Sequence, residues 1–110
     1  MTTDDGATLV IVANRPKAGK ATDLLQLTRE HVPLLRAEGL ASETPVIAGQ
    51  ASDGTVVEVF EWLPGAVARA HSNPAVLALW QRYADVCEIV PRGSLQEAST
   101  MFASFTPLTL

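Results

Sequence analysis

The sequence predicts an α+β fold in which an antiparallel sheet of four strands carries helices on one face only. First, the hydrophobic pattern changes along the chain in the order strand, helix, strand, strand, divided helix, strand. Second, the strand over residues 55–62 is apolar on both faces, although the helices cover only one of them. Third, 47 % of the 110 residues are hydrophobic and 18 % are charged, which is apolar for a small domain. The last two observations predict a homodimer whose sheets pack face to face.

The strand over residues 55–62 is the strongest strand signal in the chain. Six of its eight residues are β-branched or aromatic, and turn-forming pairs at 53–54 and 64–65 bound it. Successive side chains of a strand point to opposite faces. One face therefore carries Glu58, Phe60 and Trp62, and the other face carries Val57, Val59 and Glu61. We expect the first set to meet the helices and the second set to meet the partner sheet.

The remaining elements follow from periodicity, caps and breakers. We predict strands over 8–15, 46–50 and 95–105, and helices over 22–38, 65–71 and 74–88. The strand over 46–50 forms a hairpin with the strand over 55–62. This order is the split βαβ, or ferredoxin-like, arrangement. We expect one domain over residues 8–106, with a flexible N-terminal tail at 1–7 and a C-terminal tail at 107–110.

Composition restricts the class of partner and the compartment. The net charge is −4, which argues against nucleic acid and against an anionic membrane as partners. Cys87 is the only cysteine, so the sequence predicts neither an internal disulfide nor a cysteine metal cluster. No segment has the pattern of a signal peptide or the length of a membrane span. These features predict a cytoplasmic protein.

Three segments of the chain are similar to a known superfamily. They are NRPKAGK at residues 14–20, DGTVVEVFEW at residues 53–62 and AHSNPAVLALWQRY at residues 70–83. Over residues 8–106 the chain resembles the dimeric α+β barrel superfamily, and within it the antibiotic biosynthesis monooxygenase-like domains. The resemblance implies a homodimer with a cavity in each subunit, between the sheet and its helices. Because this fold hosts many activities, the residues of the cavity decide the chemistry.

The quinone-forming monooxygenases of this family match part of the sequence. The chain resembles them at Trp62 and, approximately, at Arg82. They carry an asparagine on the third strand where this chain has Glu58, and a tyrosine on the next helix where it has Ala68. Half of that site is therefore absent from this chain.

The haem-degrading members use an asparagine, a tryptophan and a histidine. Asn14 matches the asparagine, but the tryptophan position falls at His71 and the histidine position falls near Gln81. The proximal haem ligand is therefore missing. We predict neither haem degradation nor any other cofactor.

Periodicity points to one pair of candidate catalytic residues. His31 lies on the apolar stripe of the first predicted helix, together with Leu24, Leu27 and Leu35. Glu58 lies on the face of the strand that meets this helix, so we expect direct or one-water hydrogen bonding between the two side chains. A carboxylate in an apolar cavity can act as a base near neutral pH, and a neighbouring imidazole can share the proton. We predict Glu58 and His31 as catalytic residues.

The cavity that the resemblance implies has further candidate lining residues. We predict that the substrate contacts Asn14, Phe60, Trp62, His71, Trp80, Arg82 and Tyr83. Aromatic walls suit a flat, small, apolar or aromatic molecule. The leading expectation is a cofactor-independent monooxygenase, in which a base forms a phenolate or enolate that reacts with O₂. An isomerase or a lyase would use the same parts, and a non-catalytic ligand-binding or assembly protein is the alternative.

Each candidate also has a purely structural interpretation. In that interpretation Glu58 and His31 form only a satisfied buried pair, Trp80, Tyr83 and Cys87 are core side chains, Glu61 forms an ion pair at the dimer interface, and Arg82 is solvated. A metal site built from His31, His71 and Glu58 is a further alternative. Their spacing matches no local ligand motif, so we predict no metal.

Overall fold

The computed structural model describes residues 6–110 and has an α+β fold with a five-stranded antiparallel sheet. The expected N-terminal tail at 1–7 therefore lies mainly outside the described residues. The strands lie in the order β4-β1-β3-β2-β5. The elements are β1 (Thr8–Pro16), α1 (Ala21–Ala37), β2 (Ile47–Gln50), β3 (Val56–Trp62), α2 (Ala66–Ala70), α3 (Pro74–Val86), β4 (Cys87–Val90) and β5 (Thr106–Pro107).

The central pair of strands confirms the face assignment made from sequence. β1 and β3 pair antiparallel, from Thr8 opposite Trp62 to Asn14 opposite Val56. This register places Glu58 beside Val12 on the face that α1 and α3 cover. Glu58, Phe60 and Trp62 are all buried there. The period of two residues along a strand was therefore sufficient to group its side chains by face.

Helix α1 forms where the apolar stripe predicts it. Asp23 lies in its first turn, where a negative charge favours the helix dipole. Gly39 adopts a φ of 73° directly after the helix, a conformation that glycine accepts without steric cost. The buried side chains of α1 include the predicted stripe of Leu24, Leu27, His31 and Leu35. This stripe directs the His31 imidazole at the sheet.

The divided helix consists of α2 and α3. The Asn73 side chain caps α3 by accepting a hydrogen bond from the Val76 backbone N–H at 3.1 Å. The helix ends at Val86, so the predicted helix over 74–88 was too long. Cys87–Val90 instead forms β4, since its backbone pairs with the end of β1. Among residues 6–110, no helix has the length and apolar character needed to cross a membrane.

The predicted strand over residues 95–105 is wrong. After β4 the chain forms two short 3-10 helices, Arg92–Ser94 and Gln96–Ser99, and then follows an irregular path to β5. Ser99 and Thr100 hydroxyls donate to the backbone carbonyls of Gln96 and Glu97, at 2.8 and 2.9 Å. Such local bonds compete with strand pairing. The fifth strand, β5, pairs with β2 and extends the ordered domain into the predicted C-terminal tail.

The irregular segment covers only part of the helix-free face of the sheet. Leu95 and Phe105 pack there on a cluster that includes Ala13, Val57 and Val90. Beyond this cover, Leu9, Ile11 and Ile47 form an open patch in which they are 64, 48 and 67 % exposed. At the margin, the Thr44 hydroxyl donates to Glu61 at 3.3 Å. The helix-free face therefore has a covered half and an open half.

Candidate functional site

A cavity of about 620 Å³ lies between the helix-covered face of the sheet and the helices. This volume is within the range of pockets that hold small organic molecules. Val10, Val12, Phe60 and Trp62 line it from the sheet. Seven predicted site residues are among those that line it: Asn14, His31, Phe60, Trp62, His71, Trp80 and Tyr83. Their side chains make the cavity mainly apolar, with a few polar groups at defined positions.

The expected contact between His31 and Glu58 is present. His31 Nδ1 lies 3.0 Å from Glu58 Oε1, and the two side chains are 9 and 1 % exposed. On the other side of the ring, Trp80 Nε1–H lies 3.5 Å from His31 Nε2, at the outer limit of a hydrogen bond. An ionised carboxylate only accepts and an indole N–H only donates. We therefore assign Nδ1 as the protonated nitrogen and Nε2 as the acceptor.

Glu58 lies behind His31 and is not among the residues that line the cavity. Its Oε2 atom is buried and has no hydrogen-bond partner among the described residues. From the sequence, Glu58 was expected to line the cavity itself. The His31 ring covers it instead, because α1 packs closely over this part of β3. His31 is thus the group that meets the cavity, and Glu58 can act only through His31.

Aromatic rings surround the imidazole and fix its position. The centroid of the His31 ring lies 5.3 Å from that of Phe60 and 5.4 Å from that of Tyr83, both in edge-to-face geometry. His71 contacts Trp80 in the same way, with the centroids 5.2 Å apart. Burial raises the pKa of Tyr83, and the negative charge of Glu58 adds to this shift. The Tyr83 phenol is therefore neutral at physiological pH.

One end of the cavity carries the polar side chains of Asn14, Lys17 and Glu88. Asn14 is 4 % exposed and lines the cavity near the end of β1. Lys17 follows in the turn after β1, and its Nζ donates to the backbone oxygen of Ala84 at 2.8 Å. Lys17 was not among the site residues predicted from sequence. Its position directly after β1, whose last residues are Asn14, Arg15 and Pro16, was the available signal.

Cys87 also lines this end of the cavity. Burial raises the pKa of its thiol, while the positive charge of Lys17 opposes the shift. The thiol lies 3.3 Å from the backbone oxygen of Tyr83. Thiols with a low pKa are the reactive ones, because the thiolate is the nucleophile. The raised pKa of Cys87 therefore indicates a lining side chain and not a nucleophile.

The structure separates Arg82 from the cavity. Its two terminal nitrogens lie 2.9 and 3.3 Å from the carboxylate oxygens of Glu30, on the outer surface of the helices. The hydrogen bonds from Arg82 lower the pKa of Glu30. Both side chains are exposed at this surface. The sequence allowed two interpretations of Arg82, a substrate contact or a solvated side chain. The geometry agrees with the solvated side chain.

The alternative of a metal site from His31, His71 and Glu58 has no geometric support. Within residues 6–110, no group of three or more His, Cys, Asp or Glu side chains could hold a metal ion. His31 uses Nδ1 for Glu58, while the His71 ring packs on Trp80. The polar chemistry of the cavity therefore comes from individual side chains.

Comparison of the chain with protein-family models, with curated proteins and with solved structures gives no match. The chemistry available to the site follows from its own residues. A neutral imidazole whose Nδ1–H is held by a carboxylate presents a basic Nε2 lone pair. In an apolar cavity, such a nitrogen can remove a proton from a bound C–H or O–H acid.

Proposed function

We propose that this chain is an enzyme that acts on a small apolar or aromatic molecule, with His31 as its general base. The observation that carries the proposal is the 3.0 Å contact of His31 with Glu58 at the wall of a cavity of about 620 Å³. Glu58 orients the imidazole and stabilises the imidazolium that forms when Nε2 takes a proton. It is a positioning residue, because His31 separates it from the cavity.

A cofactor-independent monooxygenase is the form of this activity that we favour. His31 Nε2 removes a proton from an activated CH₂ or a phenol, and the resulting enolate or phenolate transfers electrons to O₂. For an activated CH₂, the overall change is CH₂ + O₂ → C=O + H₂O, so the substrate supplies all four electrons. The aromatic side chains Phe60, Trp62 and Trp80 would hold a flat substrate beside the base.

The fold supports membership of the ferredoxin-like group and of the dimeric α+β barrels, both of which remain part of this proposal. Four of the five strands follow the order β4-β1-β3-β2, with α1 between β1 and β2 in the chain. The helices α2 and α3 connect β3 to β4. The open patch of Leu9, Ile11 and Ile47 supports a homodimer through the helix-free face.

A non-catalytic ligand-binding protein is the second candidate. The observation in its favour is the contact of Trp80 Nε1 with His31 Nε2 at 3.5 Å, which occupies the basic nitrogen. In that case Glu58, His31 and Trp80 form a chain of buried polar contacts that stabilises the fold. A catalytic His31 requires the Trp80 indole to give way when a substrate binds.

Oxygen uptake with anthrone, a flat tricyclic ketone with an activated CH₂, tests the proposal. The protein is expected to accelerate O₂ consumption, and His31→Gln to reduce the rate by about 10²-fold or more. Glu58→Gln keeps the shape of the side chain but removes its charge, so the rate should fall while the fold remains. Its cost in stability should be about 1–3 kcal/mol. Arg82→Gln is the control, because Arg82 lies outside the cavity.

Three outcomes separate the candidates. A rate that survives His31→Gln would rule out His31 as the base. Binding of anthrone without O₂ uptake would favour the ligand-binding protein. Stability lost in Glu58→Gln without any change in rate would leave the pair with a structural role only.

A further inference from the structure

We propose that the cavity selects ligands that carry an anionic oxygen group, which Lys17 and Asn14 bind at one end while the aromatic body lies beside His31. This inference rests on the cavity of the proposed function, and it specifies the class of molecule that enters it. It depends on three observations: a buried amide without a hydrogen-bond partner among residues 6–110, an ammonium group that donates to a backbone carbonyl, and the placement of both at the end of the cavity away from Phe60 and Trp62.

The Asn14 amide is the first observation. Asn14 is only 4 % exposed, and it lines the cavity. Its side chain makes no hydrogen bond to any described residue. Its amide oxygen and nitrogen are not among the buried, unbonded polar atoms that are fully shielded from solvent. Buried amides in folded proteins are nearly always hydrogen-bonded. Since Asn14 lines the cavity, its amide has unused donor and acceptor capacity there, for a group that the described part of the chain does not supply.

The Lys17 ammonium is the second observation. Its Nζ donates to the backbone oxygen of Ala84 at 2.8 Å, in the last turn of α3. An ammonium has three donors, so two remain for a ligand. No carboxylate of the described residues lies within 4.0 Å of Nζ, although Glu88 also lines the cavity. Glu88 balances the formal charge of Lys17 among the lining residues, so a preference for an anion would come from direct contact of Lys17 with the ligand and not from the net charge of the cavity.

The positions along β1 define the third observation. Asn14 lies two residues beyond Val12 on the same face, and Val12 is directly opposite Glu58. Diagonal neighbours across an antiparallel pair are separated by about 7–8 Å. Asn14 is therefore one diagonal step along the sheet from Glu58, the residue that holds His31. Phe60 and Trp62 lie at the other end of the same face, opposite Val10 and Thr8.

This arrangement matches a flat molecule with its charge at one end. The anionic oxygen would accept from the Asn14 amide and from Lys17, and the ring system would extend past His31 toward Phe60. Charge-assisted hydrogen bonds are stronger than bonds between neutral groups, so the anion should be preferred over a neutral ligand of the same shape. The same contacts would hold the reacting part of the ligand at a fixed distance from His31 Nε2.

Calorimetric titration with 2-naphthoate and 2-naphthalenemethanol tests the selectivity directly. The two probes share one ring system and differ in a carboxylate against a neutral hydroxymethyl group. The wild-type protein should bind 2-naphthoate at least about tenfold more tightly at pH 7. Lys17→Gln should remove this preference and leave the affinity for the alcohol within about twofold. Asn14→Leu, which keeps the size of the side chain, should weaken naphthoate binding.

Lys20→Gln is the matched control. It makes the same change of net charge from the same turn, but Lys20 faces Asp23 and does not line the cavity. A preference that survives Lys17→Gln, or one that Lys20→Gln removes equally, would overturn the inference. Equal binding of the two probes by the wild type would also overturn it, yet leave the cavity of the proposed function intact. Failure of both probes to bind would count against the inference and the proposed function together.

Discussion

The two faces of the sheet are built by the same strands but are covered in different ways. On the helix-covered face, α1 and α3 bury Glu58, Phe60 and Trp62 and enclose a cavity beside His31. On the helix-free face, a segment of two short 3-10 helices and an irregular stretch covers one half and leaves the open patch of Leu9, Ile11 and Ile47. The first face holds polar groups in an apolar surround, whereas the second holds apolar groups in contact with water.

This difference shows that helices packed over a sheet face can hold a buried polar pair. A buried carboxylate such as Glu58 is tolerated only where a partner is fixed beside it, and α1 supplies His31 at 3.0 Å. The irregular segment offers Leu95 and Phe105, which bury apolar area but bring no such partner. The helix-covered face can therefore carry chemistry. The helix-free face is suited to association.

Matched leucine truncations on the two faces should give the largest contrast. Leu35 is fully buried under the helices, so Leu35→Ala should lower the free energy of unfolding by about 3–4 kcal/mol. Leu9→Ala removes the same atoms from the open patch, where the side chain is 64 % exposed. Its effect on a monomer should stay below about 1 kcal/mol. Urea unfolding at low protein concentration measures both, and equal losses would contradict the comparison.

A charge in the open patch should prevent the proposed homodimer. Ile11→Asp would place a carboxylate in a dry interface, so the dissociation constant should rise by about 100-fold or more. Sedimentation at about 10 μM should show a dimer for the wild type and a monomer for the variant, with unchanged circular dichroism. Leu77→Asp is the control, because Leu77 is similarly exposed but lies on α3. A wild-type monomer at this concentration would end the dimer proposal.

The contact of β2 with the irregular segment can be tested at a single glycine. A Cβ added at Gly49 would lie 2.8 Å from Phe105 Cβ, which is too close to be accommodated without movement. Gly49→Ala should therefore cost about 1–3 kcal/mol by displacing the cover of the helix-free face. At Gly93 an added Cβ would meet nothing within 4 Å, so Gly93→Ala should have little effect. If both variants unfold at the same urea midpoint as the wild type, the close contact of Gly49 with Phe105 does not hold the segment against the sheet.

Because Tyr83 is buried under the helices, the free energy of unfolding should decrease at alkaline pH. Because burial raises its pKa in the folded state, the unfolded chain loses the phenolic proton first as the pH rises above 10. The contribution of Tyr83 to stability should be unaffected below that pH and then fall by up to about 1.4 kcal/mol per pH unit. Tyr83 is the only tyrosine, so the tyrosinate absorbance at about 295 nm comes from this residue, in addition to the change that the two tryptophans give on unfolding. Unfolding and ionisation should coincide.

Tyr83→Phe provides the control for this effect. It should remove the tyrosinate absorbance and part of the alkaline loss. The remaining part belongs to Cys87, whose pKa burial also raises. Ionisation of Tyr83 near pH 10 in the folded protein would show instead that water reaches the ring.

The sequence by itself determined which side chains share a face. The alternation of residues 55–62 placed Glu58 and Phe60 together, and the stripe of α1 placed His31 against them. These periods of two and 3.6 residues are properties of the local backbone, so no distant contact was needed to read them. The contact of His31 with Glu58 followed directly from those two periods.

Only the tertiary structure decided what lies across from each face and how deep each group sits. Cys87–Val90 became a strand because β1 offered an unpaired edge, and residues 95–105 remained irregular because the weak alternation there competed with local hydroxyl bonds. The depth of Glu58 depends on the His31 ring above it, and the role of Lys17 depends on the end of α3 beside it. Such relations join residues far apart in the chain, and local periodicity carries no information about them.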